Sequence, residues 1–282
     1  MKDVFANRPL LIASQHRKEE VMAPCLTKAL GVICQVAENL NTDLLGTFSG
    51  EVARLDDPIR TLRKKCMLAL EQQTSFDLVV ASEGSFGPHP AMFFVPANEE
   101  WVMLLDQKHN LEITARSVSM ATNFSAKQVH TWSELLAFAS AAQFPSHGLI
   151  LRPSKDTYEP IFKGITTESV LKYAFDCLFD ATRGVYAETD MRALYNPSRM
   201  KVIEQATQQL IVKTQSTCPQ CEMPGFDVVQ AKGGLPCSGC GLPTESVLSH
   251  IYRCQQCEYH EERCFPYGKE VEEPRYCHFC NP

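Results

Sequence analysis

No stretch of the 282 residues approaches the roughly 18 uninterrupted apolar positions a membrane-crossing helix needs. The opening MKDVFANRPLLIAS carries too short an apolar run for a secretory signal. These absences exclude a helical membrane protein and make the cytoplasm the expected compartment. Internal repeats and low-complexity tracts are missing too, which sets aside solenoids and disordered linkers. Positive charge is in short supply: 27 Lys and Arg face 33 Asp and Glu, and the segment after residue 217 holds 5 basic against 9 acidic side chains. Nucleic-acid binding wants the opposite balance.

What is present is a 44% apolar chain longer than a usual single domain, enough for one large domain and a smaller appendage. Its thirteen cysteines are unevenly placed: Cys25, Cys34, Cys66 and Cys177 are scattered, and nine follow residue 217. Clustering favours metal over disulfide. Four C-x-x-C pairs occur, Cys218/Cys221, Cys237/Cys240, Cys254/Cys257 and Cys277/Cys280, which supply eight thiolates for two zinc ions. Zinc takes four soft donors in a tetrahedron, and a tight knuckle presents two sulfurs to one ion while backbone N–H groups bond to the thiolates. Four complete pairs leave no open coordination position, and so small an apolar content folds only with metal; both ions read as structural.

The first two pairs enclose fifteen residues, with GFDVVQ as a strand and AKGG as its turn, and the last two enclose nineteen, with EYHEERCF outgoing, PYGK turning and EPRYCHFC returning. Sequential pairing into two zinc ribbons is the expectation; an interleaved scheme, first pair with third, uses the same residues. Cys264 is left over and reads as a strand residue beside Phe265, and His250, His260 and His278 read as surface or packing residues. Each four-thiolate site leaves a charge of about −2. On an acidic background this points to protein docking, or to capping of the body, rather than to nucleic acid.

Before residue 215 helix-like and strand-like segments alternate. PLLIAS and GVICQVA read as strands around the helix RKEEVMAPCLTKAL, whose apolar positions are Val21, Cys25, Leu26 and Leu30. Asp57 and Pro58 open a helix with Ile59, Leu62, Cys66, Ala69 and Leu70 inside and Arg60, Arg63, Lys64 and Lys65 outside. FDLVVAS, then WVMLLDQ and LEITARSVSM around a KHN turn, read as strands. WSELLAFASAAQ, GLILRP, TTESVLKYAFDCLFDAT and GVYAETD continue the alternation, and Asn196-Pro197 caps a last helix with Met200, Ile203, Thr207 and Leu210 on one stripe. The fold class is α/β, a mixed sheet with helices on its faces, over residues 1–215, followed by a small double zinc ribbon over 216–282.

Four polar segments lie at strand ends, where ligands collect in such sheets. SQHRKE brings His16, Arg17 and Lys18 to the start of a helix, where free N–H groups meet anions. GTFSGE supplies Glu51, and ASEGSFGPHP supplies Glu83, Ser85 and His89 between glycines and prolines that allow close backbone approach and fix shape. Of these, His89 reads as a structural side chain. ETDMRA supplies Glu188, Asp190 and Arg192, with Arg199 following. Carboxylates converging with basic groups hold Mg2+ and a polyphosphate through hard oxygen ligands. Glu83, Glu51 and Asp190 are the candidate catalytic residues, and His16, Lys18, Ser85, Arg192 and Arg199 the candidate substrate contacts.

IASQHRKE, TDLLGTFSGE, ASEGSFGPHP, LILRP and ETDMRALYNPSRM, with the closing cysteine pairs, resemble one uncharacterised bacterial family, a domain of unknown function. Residues 9–120 are also similar in motif order to the inosine triphosphate pyrophosphatase superfamily. That resemblance implies that Lys18 meets a triphosphate while Glu51 and Glu83 handle Mg2+ and the attacking water. The turn here is a residue shorter than in that superfamily and lacks its asparagine, and one carboxylate stands where many members have an Asp-Asp pair. The expected function is therefore Mg2+-dependent hydrolysis of a nucleotide or phosphoester. The alternative is a non-enzymatic module that binds a phosphorylated small molecule, with the ribbon docking a protein partner. A third reading is an adaptor whose motifs serve only folding.

Overall fold

The structure is a computed structural model and describes residues 4–40 and 57–282. Two compact units result, one of Phe5–Lys108 with Thr114–Ile211, the other including His109–Ile113 and Val212–Pro282. No helix among the described residues is long and apolar enough to cross a membrane.

In chain order come β1 (Pro9–Ala13), α1 (Glu19–Leu30), β2 (Ile33–Val36), α2 (Pro58–Gln72), β3 (Leu78–Pro88), β4 (Pro96–Asp106) and β5 (Leu111–Ser119), giving a sheet of order β2-β1-β3-β4-β5. The strands β2, β1 and β3 run parallel and β4 antiparallel to β3. Leu11, Val79, Ala81 and Met103 of the sheet pack with Leu62, Cys66, Ala69 and Leu70 of α2. The Asp57 carboxylate accepts the Ile59 and Arg60 N–H groups at 3.0 Å, the N-cap expected from the Asp-Pro pair. Helix α1 buries Met22, Leu26 and Leu30 and ends at Gly31, whose φ of 65° is the left-handed cap that glycine adopts without strain.

Where the sequence pattern suggests a polar loop after FDLVV, the chain stays extended. The whole of ASEGSFGP belongs to β3, paired residue by residue with β4 from Leu78↔Asp106 to Pro88↔Pro96. Long antiparallel pairing satisfies the backbone without an alternating apolar pattern, so a Gly- and Ser-rich strand passes for a loop in sequence.

Beyond β5 come β6 (Ala126–Val129), α3 (Trp132–Ala141), β7 (Leu149–Arg152), β8 (Phe162–Ile165), α4 (Glu168–Leu178) and β9 (Val185–Thr189). They form a second, antiparallel sheet of order β6-β9-β7-β8, so the described residues of the body form two sheets. Leu135, Phe138, Leu171, Ala174, Phe175 and Leu178 of the helices cover Val129, Leu149, Leu151, Val185 and Ala187 of the strands. Each large side chain buried there contributes roughly 1.5–3 kcal/mol of transfer free energy. The helix α5 (Pro197–Gln215) then starts where expected, with the Asn196 side chain accepting the Arg199 N–H at 2.9 Å.

The smaller unit contains one three-stranded antiparallel sheet, β10 (Asp227–Gly233), β11 (Val247–Arg253) and β12 (His260–Cys264), in that order. The segment EPRYCHFC, expected to return as a strand, forms a short 3-10 turn at Pro274–Tyr276.

Candidate functional site

Antiparallel pairing of β10 and β11 places Asp227 opposite Arg253, so the knuckle before β10 and the knuckle after β11 share one end of the sheet. The other two knuckles, between β10 and β11 and after β12, share the opposite end. The cysteines therefore interleave: Cys218, Cys221, Cys254 and Cys257 form one cluster, and Cys237, Cys240, Cys277 and Cys280 the other. This corrects the sequential pairing, which treated each hairpin as a closed unit and missed the central strand common to both.

Sulfur pairs lie at 3.6 Å (Cys218–Cys257), 3.5 Å (Cys221–Cys254), 3.8 Å (Cys237–Cys280) and 3.7 Å (Cys240–Cys277). Four sulfurs about 2.3 Å from a central zinc stand about 3.8 Å apart, whereas a disulfide needs about 2.05 Å. Backbone N–H groups of Gln220, Gly239 and Gln256 donate to Cys218, Cys237 and Cys254 at 3.4, 3.3 and 3.3 Å, as thiolate ligands require. The donor sets fit two structural zinc ions. Phe226, buried among Cys218, Cys254, Tyr252 and Tyr259, is the main apolar packing of the first cluster. Cys264 is exposed on β12; His250 stacks edge-on with Tyr267, and neither residue belongs to a cluster.

In the body, Lys18 turns inward from the start of α1, and its Nζ donates to Ser82 Oγ at 3.1 Å. Lys65 meets Glu83 in a buried ion pair and also reaches the Ser82 carbonyl at 3.4 Å. Its placement on the outer face of α2 is thus corrected: three residues after Leu62 and four before Ala69, it falls on the buried stripe. Beside them Arg199 Nε donates to Glu100 Oε1 at 2.7 Å and Nη1 to the Met191 carbonyl at 2.5 Å, with both charged side chains wholly buried. Three cations, Lys18, Lys65 and Arg199, thus accompany two carboxylates, Glu83 and Glu100. Burial, reinforced by Arg199 and Lys65 and opposed by Glu100 and Glu83, pulls the Lys18 ammonium down to about 7.

The other expected contacts scatter. His16 and Arg17 both take positive φ, 65° and 62°, in the turn before Lys18. Ser85 is half-buried on β3 opposite Glu99, and His89 caps its own turn by accepting the Ala91 and Met92 N–H groups. Glu51 lies outside the described residues. Asp190 is wholly buried, held by Arg192 Nε at 3.0 Å and Nη2 at 2.6 Å and by the Gly164 N–H at 3.0 Å. Among the described residues only the two cysteine clusters bring three or more metal-ligating side chains together, and Glu83 and Asp190 join neither.

Asp190 and Arg192 instead line a cavity of about 250 Å3 with Arg152, Glu188, Tyr158, Tyr186, Ile150 and others. Arg152 and Glu188 meet diagonally across neighbouring strands, Nη2 to Oε2 at 3.0 Å, and the guanidinium lies 4.6 and 5.1 Å from the ring centroids of Tyr158 and Tyr186. Arg152 is 5% exposed, and its Nε and Nη1, like Glu188 Oε1, are buried without a hydrogen-bond partner. Burial pushes the Glu188 carboxyl up, against the pull of Arg152. In sequence Arg152 shows only as an arginine closing the otherwise apolar strand LILRP.

No curated protein matches the chain. The family model described as Domain of unknown function (DUF6671) matches residues 65–282, so the chain belongs to the DUF6671 family.

Proposed function

We propose that this DUF6671 chain is a binding protein without chemistry of its own: its body takes up the anionic group of a small molecule at Arg152, and two zinc ions fold the C-terminal unit. The observation that carries the reading is the buried Arg152 guanidinium with two unpartnered nitrogens in the wall of a cavity. Buried donors without partners are rare and costly, and arginine's fork suits carboxylate and phosphate. The acidic C-terminal unit, with Tyr267 and Phe279 each 72% exposed, supports docking of a protein partner as its second task. The test is a thermal melt of the zinc-loaded chain with orthophosphate, ribose 5-phosphate, small carboxylates and free amino acids. At least one probe raises the melting temperature of the natural chain and leaves Arg152→Ala unmoved; no shift with any probe overturns the reading.

The meeting of Lys18, Lys65, Glu83 and Arg199 favours a second reading, hydrolysis of a nucleotide like that of the inosine triphosphate pyrophosphatase superfamily. Incubation with Mg2+ and a panel of canonical and deaminated nucleoside triphosphates tests it. Turnover that Glu83→Gln abolishes supports this reading, and no turnover removes it.

A further inference from the structure

We infer that the Arg152–Glu188 cavity is built for a small zwitterion, a free α-amino acid with an apolar side chain, whose carboxylate meets Arg152 and whose ammonium meets Glu188. The inference rests on the reading of this cavity as a binding site and names its ligand class.

The two ion pairs of the cavity differ in completeness. Asp190 and Arg192 satisfy each other through two side-chain bonds, and Asp190 also accepts the backbone N–H groups of Gly164 and Arg192 at 3.0 and 3.1 Å. That pair is wall. Arg152 and Glu188, both in the lining, share a single bond and leave unsatisfied atoms of opposite kind: donors at Arg152 Nε and Nη1, an acceptor at Glu188 Oε1. A pair that wanted only itself would close as a two-pronged fork. A simple anion would answer Arg152 and press its charge on Glu188; a simple cation would do the reverse. A ligand with both charges answers both vacancies.

Charge and size agree. The lining cations Arg152, Lys155 and Arg192 are balanced by Asp156, Glu188 and Asp190, so the cavity gains nothing from a ligand of large net charge. A polyphosphate needs a surplus of cations. Its volume of about 250 Å3 falls below the ~300–1,000 Å3 of pockets for drug-sized molecules, which suits a ligand smaller than a nucleotide. Ile150, Met191 and Phe124 supply the apolar lining against which a side chain packs. Burial, with Asp190 nearby, pushes the Glu188 carboxyl up against the pull of Arg152, and a ligand ammonium would offset that push.

The test is isothermal titration of the zinc-loaded full chain with the protein amino acids, then with the two halves of the tightest one. For leucine the halves are 4-methylpentanoate, which lacks the ammonium, and 3-methylbutylamine, which lacks the carboxylate. The amino acid binds saturably, each half binds at least about tenfold more weakly, and Glu188→Gln weakens the amino acid about tenfold with zinc content unchanged. The comparison of halves is made on the natural chain and holds even if the variant does not fold. Equal binding of leucine and 4-methylpentanoate overturns the inference. If ribose 5-phosphate or orthophosphate binds tighter than every amino acid, the ligand class falls and the binding function stands. If no probe binds, both fall.

Discussion

Gly84 lies against the Arg199–Glu100 pair so closely that a Cβ built on it would stand 2.6 Å from Arg199 Nη2 and closer still to Glu100 Oε1. Backbone and ion pair are thus fitted to each other, with β3 offering a bare strand face where α5 delivers the guanidinium. Gly84→Ala forces the pair apart, and Glu100→Gln leaves the guanidinium with an uncompensated charge. Glu100→Gln costs about 3–5 kcal/mol in urea denaturation, as breaking one side of a buried pair does. Gly84→Ala costs more than the fraction of a kcal/mol typical of an exposed site.

Interleaved zinc pairing makes opposite forecasts for two double variants. Cys218→Ser with Cys257→Ser disables one cluster and leaves about one zinc per chain, whereas Cys218→Ser with Cys237→Ser disables both. Sequential pairing predicts the reverse. Metal content measured by atomic emission decides between them.

The depressed Lys18 gives stability a pH dependence whose sign follows from proton counting. Between about 7, where the folded amine loses its proton, and 10.5, where the unfolded one does, the unfolded chain binds more protons. Stability from this group therefore rises with pH across that window, by at most about 1.4 kcal/mol per pH unit. Below it the burial of a charge weighs in full. Measured as the difference between the natural chain and Lys18→Met, so that cysteine titration cancels, the gain appears on going from neutral to alkaline buffer.

Sequence patterns show the elements well and the site poorly, for identifiable reasons. Asp57-Pro58, Asn196-Pro197 and the four C-x-x-C knuckles are local signatures, each fixed by bonds within a few residues, and the structure contains all of them. Pairing of the knuckles depends on strand order, a non-local property. Lys18, Glu83 and Arg199 stand out by residue type, but their partners Lys65 and Glu100 come from segments that read as helix surface and as ordinary strand. Arg152 and Glu188 are 36 residues apart and meet only because β7 and β9 are neighbours, with Ile150 opposite Glu188. No period in the sequence announces that.

The guanidinium itself reports binding at Arg152 most directly. The side-chain Nε–H resonance of Arg152, assigned by its disappearance in Arg152→Lys, can be followed in proton–nitrogen correlation spectra as leucine, ribose 5-phosphate and orthophosphate are titrated in turn. A saturable shift of that resonance is expected with one of them, the signature of an anion taking up an unpartnered donor. A resonance that stays put through every titration contradicts it and leaves Arg152 a buried strut.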